Sequence, residues 1–320
     1  MNTSKPSVGT TATSPGEIES LAMADKSAAR TQPQLRSFVI FVVALSAAFG
    51  KQLVGLVALV AASNLHSYIL LVPVISLYLL SLRRNDLPQT SSSSPGLALI
   101  GFLAGSAALL FAITMSAALS HNDYLAAMAL AFFSFLISGG FFFMGRKWMA
   151  AAAFPLAFLF FIIPMPDAMA TSLEEASKLA STEAANLFFN LTGTPVLRDR
   201  TIFQLPNITI QVSQECSGIR SSVVLILTSL VGANLFLRTT WRRAVLLCLV
   251  IPLGVIRNGF RVWVIATLCI HFGPQMAHSI IHRRGGPFFF VLSLIPLFLL
   301  LWWLRRNESK SLSQVPAKLQ

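Results

Sequence analysis

Long apolar runs, separated by short polar or basic stretches, make up most of the chain between residues 38 and 304. Several runs have the length of about 20 residues that crosses about 30 Å of hydrocarbon as an α-helix. The pattern predicts about eight transmembrane helices, the second and fifth of them short, at 38–61, 68–82, 96–118, 124–144, 148–163, 217–237, 243–263 and 287–304. The expected fold class is therefore an all-α polytopic membrane protein.

Between the fifth and sixth runs, residues 164–216 follow a different pattern. Apolar residues recur every three or four positions from Met169 to Leu191, with acidic residues between them, which predicts an amphipathic helix on the membrane surface. This helix is expected to end near Gly193. Residues 201–205 and 208–212 then alternate with period two around a Pro-Asn pair, which predicts a small β-hairpin.

The composition is that of a protein whose solvent is lipid. The chain is 55% hydrophobic and only 11% charged, with a mean hydropathy of +0.70, more than a soluble core with a polar shell requires. The net charge of +12 does not indicate a nucleic-acid partner, because the basic residues form short clusters between apolar runs. The clusters are Arg83-Arg84, Arg146-Lys147, Arg238 to Arg243 and Arg305-Arg306.

The basic clusters also predict an orientation in the membrane. With a cytoplasmic N-terminus, alternation of the eight spans places every cluster inside, as the positive-inside rule requires. Residues 1–35, rich in Ser, Thr, Ala and Pro, are expected to form a disordered cytoplasmic tail, residues 36–306 the membrane domain, and residues 307–320 a second cytoplasmic tail. The long segments 164–216 and 264–286 then lie outside, where we expect the functional residues.

A cysteine stands at the outer start of the sixth predicted span, in the sequence Glu215-Cys216-Ser217-Gly218-Ile219. The positive end of a helix dipole lowers the pKa of a thiol, so Cys216 is a candidate nucleophile. The alternative is a buried structural cysteine, which is the interpretation we keep for Cys248 and Cys269. Three cysteines without metal-ligand spacing do not predict a disulfide framework or a metal site.

Two arginines lie near the outer end of the seventh predicted span, in Arg257-Asn258-Gly259-Phe260-Arg261. A partly desolvated guanidinium can stabilise an oxyanion or bind a carboxylate. The alternative for each arginine is an interfacial side chain that reaches toward the headgroups.

Two histidines, His278 and His282, precede the last predicted span. A histidine there can take or give a proton near neutral pH. Metal binding is the alternative for an i, i+4 histidine pair, but no glutamate follows His278 as a zinc-protease motif requires. A cysteine, an arginine and a histidine are thus expected on one membrane face, which is the minimum set for thiol-based acyl transfer.

These motifs resemble those of the exosortase and archaeosortase family. The family's cysteine box appears as Cys216-Ser217-Gly218-Ile219, its Asn-x-x-Arg box as Asn258 to Arg261, and its histidine box as His282 with Gly286 and Phe290. The resemblance covers about residues 64–304. It departs from the family near Ser67, because Tyr68 stands where the family has a histidine, although His66 lies close by.

The resemblance implies a membrane cysteine peptidase or transpeptidase without a cofactor, located in the bacterial inner membrane. Its substrates would be exported proteins whose C-terminal sorting signal combines a Pro-Glu-Pro type motif (PEP-CTERM), one transmembrane helix and a basic tail. Cys216 would form a thioester, His282 would act as general acid and base, and Arg261 would stabilise the oxyanion. Arg257, Arg220 and Asn258 are the expected substrate-binding residues, and the acceptor stays unassigned.

Two other functions are compatible with the same helices. A transporter would explain the spans and an intramembrane Lys51, but not the outer cysteine, arginine and histidine. A non-catalytic scaffold for envelope or exopolysaccharide export would share the topology and would tolerate the loss of Cys216.

Overall fold

The structure is a computed structural model that describes residues 34–62, 65–88, 92–205, 208–212, 218–273 and 286–313, with side chains of the last helix described as far as Glu308. The chain divides into two compact units. The N-terminal unit contains residues up to Leu59 together with Ile69–Pro164. The C-terminal unit contains Val60–Tyr68 and the residues from Met165 onward. The predicted tail at 1–35 lies almost wholly outside the described residues.

The N-terminal unit is helical. Its elements are α1 (Gln34–Ala48), α2 (Gly50–Ala62, whose last turn belongs to the C-terminal unit), α3 (Leu71–Leu82), α4 (Pro95–Thr114), α5 (His121–Gly139), a π-helical turn (Gly140–Met144), α6 (Gly145–Ala151), α7 (Ala153–Leu159) and a 3₁₀ turn (Phe160–Ile162). Helix α5 begins where Ser120 accepts a hydrogen bond of 3.0 Å from the backbone N of Asp123. Gly101 lets α4 approach α5, because a Cβ there would lie 3.1 Å from the Ser138 backbone.

The C-terminal unit contains four long helices and a small sheet. They are α8 (Asp167–Leu191), β1 (Leu197–Asp199), β2 (Ile202–Leu205), β3 (Ile208–Gln211), α9 (Ile219–Phe236), α10 (Thr240–Phe272) and α11 (Gly286–Ser313). The strands are antiparallel in the order β1-β2-β3, with Leu197 opposite Gln204 and Leu205 opposite Ile208.

Two apolar cores hold this unit together, because each helix buries residues spaced by three or four positions. In the first core, Phe189 of α8 and Phe203 of β2 pack against Val262 and Ala266 of α10. In the second, Leu225 of α9, Leu246 of α10 and Leu297 of α11 meet. Helix α10 contributes to both cores and is therefore the element that joins the α8 and sheet region to the α9 and α11 pair.

The amphipathic helix and the hairpin are confirmed as elements. Helix α8 ends with Gly193 in the left-handed region at φ +64°, and the backbone N of Thr194 bonds the Phe189 carbonyl at 3.0 Å. Strand β1 was not predicted, because it is only three residues long. It is attached to α8 by Arg198, which donates to both carboxylate oxygens of Glu183.

The predicted number of eight spans is not confirmed. Five described helices are long and apolar enough to cross a membrane, or up to seven if each of two bent helix pairs forms one span. The short third helix, Leu71–Leu82, falls below that length. The predicted fifth span, 148–163, begins inside α6 and continues through α7 and the 3₁₀ turn, with a break at Ala152, whose φ of −90° and ψ of 9° depart from helix geometry.

Two further departures concern α1, α2 and α11. The first apolar run bends by 69° between α1 and α2, which places Lys51 in the first turn after the break, with an exposed side chain. Helix α11 continues past the predicted end at 304 to Ser313.

Candidate active site

The structure describes only part of the predicted site. Arg220, Arg257, Asn258 and Arg261 belong to the described residues, all within the C-terminal unit. Cys216, His278 and His282 lie outside them. The site is therefore built from the chain that flanks these residues, starting at Gly218.

Gly218 forms a tight turn at the start of α9. Its φ of +71° is in the left-handed region, which glycine adopts without steric cost. Its carbonyl accepts hydrogen bonds of 3.0 Å from the backbone N of Ser222 and of 3.0 Å from Ser221 Oγ. The turn is thus held from the first turn of its own helix.

Arg257 of α10 binds the same turn from a second element. Its Nη2 donates to the Gly218 carbonyl at 3.2 Å and to Ser222 Oγ at 3.3 Å. One turn earlier, a Cβ on Gly254 would lie 2.9 Å from Ser222 Oγ, so glycine at this position lets α9 and α10 approach. The Arg257 side chain crosses between two helices and is only 7% exposed.

The other terminal nitrogen of Arg257 remains available. Its Nη1 is buried and has no hydrogen-bond partner among the residues that the structure describes. A buried guanidinium donor without an acceptor is costly, because its lost hydration is not replaced. Such a donor can bind a carboxylate or a carbonyl oxygen that enters the site.

Asn258 fixes the turn sterically. It is 1% exposed, and its Nδ2 donates to Ser181 Oγ of α8 at 2.9 Å. On its other side, its Cγ lies where a Cβ on Gly218 would be only 2.5 Å away. Next to it, Gly259 brings α10 against α8, since a Cβ there would lie 2.4 Å from the Ala184 Cβ. Asn258 therefore connects α8, α10 and the Gly218 turn.

Arg261 lies one helical turn after Arg257 and is half-buried. The two guanidinium groups are close enough to repel each other electrostatically. An i, i+4 pair shares one helix face, so Arg261 stands on the side of α10 on which Arg257 contacts Gly218 and Ser222. This arrangement concentrates positive charge at the turn, which favours an anionic ligand or a developing oxyanion.

Aromatic rings pack beside Arg261. Phe260 contacts Phe188 of α8 at 5.7 Å, Trp263 at 5.5 Å and Phe289 of α11 at 6.2 Å between ring centroids. Trp263 also donates from Nε1 to Thr192 Oγ1 at 3.3 Å. The start of α11, which follows His282 in the chain, thus packs against the same turn of α10 that carries Arg261.

The remaining predicted site residues differ in their surroundings. Arg220 is exposed in the first turn of α9, unlike the buried Arg257. The prediction of a buried cysteine is confirmed for Cys269 and is wrong for Cys248, which is exposed. No group of three or more His, Cys, Asp or Glu side chains that could hold a metal occurs in the described part of the chain.

His66 and Tyr68, near the departure from the family pattern, are both buried, at 5% and 6% exposure. They belong to the short segment Val60–Tyr68 of the C-terminal unit. Burial lowers the pKa of His66 below its usual value, although a hydrogen bond to the backbone of Met165 and the Asp167 carboxylate act in the opposite direction.

Sequence analysis missed Ser181, Ser222, Gly254 and the role of Gly259. Ser181 lies on a predicted surface helix, and nothing in the sequence indicates that it accepts a hydrogen bond from Asn258. The two glycines inside a long apolar helix are a usable signal, because glycine weakens a helix interior and so points to close packing.

The fold and the site define a polytopic α-helical membrane protein with an arginine-rich site at a glycine turn. The family model for transmembrane exosortases matches residues 60–299. The chain therefore belongs to the exosortase family. No curated protein and no solved structure matches it.

Proposed function

We propose that this protein is a membrane cysteine peptidase or transpeptidase that cleaves the C-terminal sorting signal of exported proteins. The observation that supports this most directly is the hydrogen bond from Arg257 to the Gly218 carbonyl. This bond connects α10, at the residue before its Asn-x-x-Arg box, to Gly218, which lies two residues after Cys216. This contact between segments about 40 residues apart in the sequence supports a common site for the two motifs.

The chemistry assigns one role to each of three residues. The Cys216 thiolate attacks the backbone carbonyl of the sorting motif and forms a tetrahedral intermediate whose oxyanion Arg261 stabilises. His282 gives a proton to the leaving amine as the peptide bond breaks, which leaves a thioester on Cys216. An acceptor amine or water then attacks the thioester, His282 takes its proton, and the thiolate is released.

The reach of the chain supports this assembly. Cys216 stands two residues before Gly218, and two peptide units span at most about 7 Å. His282 stands four residues before Gly286, and four peptide units span at most about 14 Å. Gly218 contacts Arg257, and Phe289 in the first turn of α11 contacts Phe260, so both flanks meet the Arg257 to Arg261 turn of α10.

Arg257 is the stronger candidate for binding the acidic residue of the sorting motif. Its buried Nη1 lacks a partner in the described residues, whereas Arg220 is exposed and would bind a carboxylate in competition with water. For Asn258 we propose a positioning role instead of substrate contact, because its amide already holds Ser181 and packs on Gly218.

The proposed location is the bacterial inner membrane, with both termini in the cytoplasm and the site on the outer face. The basic clusters support this orientation by the positive-inside rule. A substrate helix that crosses the same membrane would then present its motif at the outer boundary and keep its basic tail inside.

The experiment is co-expression of a reporter that carries a Pro-Glu-Pro type sorting signal with the wild type and with Cys216→Ala, Arg261→Ala or His282→Ala. We expect processing by the wild type and loss of processing with each variant. Matched controls replace residues of the same type elsewhere: Cys248→Ala, Arg200→Ala and His121→Ala. Equal processing by the Cys216→Ala protein would refute the peptidase and leave the scaffold and the transporter as the alternatives.

A second reporter tests the Arg257 assignment. Replacing the motif Glu by Gln removes the charge that the guanidinium would bind. We expect this reporter to be processed poorly by the wild type, while Arg257→Gln removes the difference between the two reporters. If Arg220→Gln and not Arg257→Gln removes it, the exposed arginine reads the motif.

A further inference from the structure

Five arginines gather at one end of the C-terminal unit, where α9 ends, α10 begins and the apolar part of α11 ends. We call this group the arginine end, and its members are Arg238, Arg242, Arg243, Arg305 and Arg306. All three helices are candidate membrane spans by length and composition, over Ile219–Phe236, Thr240–Phe272 and Gly286–Glu308. The arginine end therefore lies at the level where a span leaves the hydrocarbon and meets the headgroups.

Part of the arginine end fastens the helices to one another. Arg242 donates from Nη1 to the Leu304 carbonyl at 3.1 Å and from Nη2 to the Asn307 carbonyl at 3.3 Å. Arg243 donates from Nη2 to the Leu237 carbonyl at 2.7 Å. The backbone that carries the other arginines is thus held in one arrangement.

The outward part combines exposed guanidiniums with exposed aromatic rings. Arg238, Arg305 and Arg306 are exposed. Arg305 lies 5.6 Å above the Phe236 ring and Arg306 lies 5.3 Å above the Trp302 ring. Trp302 is itself 56% exposed. Tryptophan and arginine together are typical of the headgroup level of a membrane.

The charges of this end do not balance. Among the described residues it holds five guanidiniums and one carboxylate, that of Glu308, which leaves a net of four positive charges. The Glu308 carboxylate is occupied by the chain, because it accepts hydrogen bonds from the backbone N of Arg238 and from the N and Oγ1 of Thr239. A surplus of positive charge of this kind attracts anions to this end of the unit.

We propose that the arginine end binds the headgroups of anionic phospholipids. The arginine end lies at three helix ends, at the depth of the lipid phosphates. An arginine can donate two parallel hydrogen bonds to a phosphate. A zwitterionic headgroup adds an ammonium group that four positive charges repel, so the surface selects lipids with net negative charge. This binding does not depend on the proposed peptidase activity.

The test uses the full-length protein in nanodiscs that contain equal amounts of phosphatidylglycerol and phosphatidylcholine, followed by native mass spectrometry of the lipids that stay bound. We expect the wild type to retain phosphatidylglycerol in preference to phosphatidylcholine. The Arg305→Gln, Arg306→Gln double variant should lower that preference by about fivefold for each charge removed. Both side chains are exposed, so its melting temperature should stay close to that of the wild type.

The matched control is Arg146→Gln with Lys147→Gln, an exposed basic pair in the N-terminal unit that removes the same charge. It should keep the preference. Equal retention of both lipids by the wild type would overturn the proposal, as would an equal loss of preference in the control pair. Release of the bound phosphatidylglycerol by inorganic phosphate at millimolar concentration would show a general anion site instead of a lipid site.

Discussion

Asn258 packs so closely on Gly218 that a Cβ at position 218 would lie 2.5 Å from the Asn258 Cγ. The residue before it, Arg257, donates to the carbonyl of the same glycine at 3.2 Å. Two consecutive residues of α10 therefore hold one glycine turn, the first through a hydrogen bond and the second through contact. Because Cys216 is two residues from this turn, any displacement of Gly218 displaces the proposed nucleophile.

Gly218→Ala is expected to abolish processing with a modest loss of stability. The methyl group cannot occupy the space held by Asn258, so the turn must move. A misplacement of about 1 Å costs about 100-fold in rate in many enzymes. Processing of the sorting-signal reporter and the melting temperature in detergent are the two measurements.

Gly193→Ala is the matched control for this strain. Gly193 also has a left-handed φ, of +64°, but no atom lies within 4 Å of its ideal Cβ. It should lose about 1 kcal/mol of stability, the cost of the left-handed conformation for a side chain, and retain processing. Equal loss of processing in both variants would show that the Asn258 contact is not what matters.

The hydrogen bond from Asn258 to Ser181 should couple the two residues energetically. Ser181→Ala leaves a buried amide without its acceptor, at a cost of about 1–3 kcal/mol, while Asn258→Ala also removes support for Gly218. A double-mutant cycle on the free energy of unfolding should give a coupling of about 0.5–3 kcal/mol. Processing at saturating substrate should fall further in Asn258→Ala than in Ser181→Ala; the opposite order would exclude a positioning role for Asn258.

We expect the Glu308 carboxylate to contribute more to the stability of the C-terminal unit than an exposed carboxylate does. It is 4% exposed, and it accepts hydrogen bonds from Arg238 and Thr239 at the start of α10. Since a hydrogen bond to a charged group contributes about 1.5–3 kcal/mol, Glu308→Ala should lower the melting temperature clearly. Glu175→Ala, which removes an exposed carboxylate paired with Lys178, should change it little.

Burial of His66 predicts a dependence of stability on pH. Its pKa is lowered in the folded protein, so the unfolded chain binds the proton first as the pH falls. The contribution of neutral His66 is fully present above the unfolded pKa of about 6.5 and is lost as the pH falls from there toward the lower folded value. The melting temperature should therefore drop between pH 7.5 and pH 5.5, and His66→Gln should reduce that drop, whereas exposed His121→Gln should not.

The orientation is open to a labelling test. Asp199 and Thr240 are both exposed. Asp199 belongs to the segment predicted to lie outside, and Thr240 belongs to the basic cluster predicted to lie inside. In a variant without its native cysteines, an impermeant maleimide added to intact cells should label Asp199→Cys and not Thr240→Cys. The reverse pattern would place the proposed site in the cytoplasm.

The sequence by itself determined the class of protein, the amphipathic helix and the hairpin, because hydrophobic period and length follow directly from burial in lipid or against a core. It also placed Gly218, Asn258 and Arg261 in motifs that resemble those of the exosortase family, to which the match over residues 60–299 assigns the chain. The sequence did not determine the number of spans, because the bends of 69° and 92° in two helix pairs depend on backbone angles that an apolar run does not encode.

Only the tertiary structure showed what holds the motifs together. Ser181 became the partner of Asn258, and Arg257 became the link to Gly218, through contacts between residues that are 77 and 39 positions apart. Such contacts arise from the packing of α8, α9 and α10 on one another, and local periodicity carries no information about which faces will meet. The sequence therefore named the residues of the proposed site, and packing decided which of them contact Gly218.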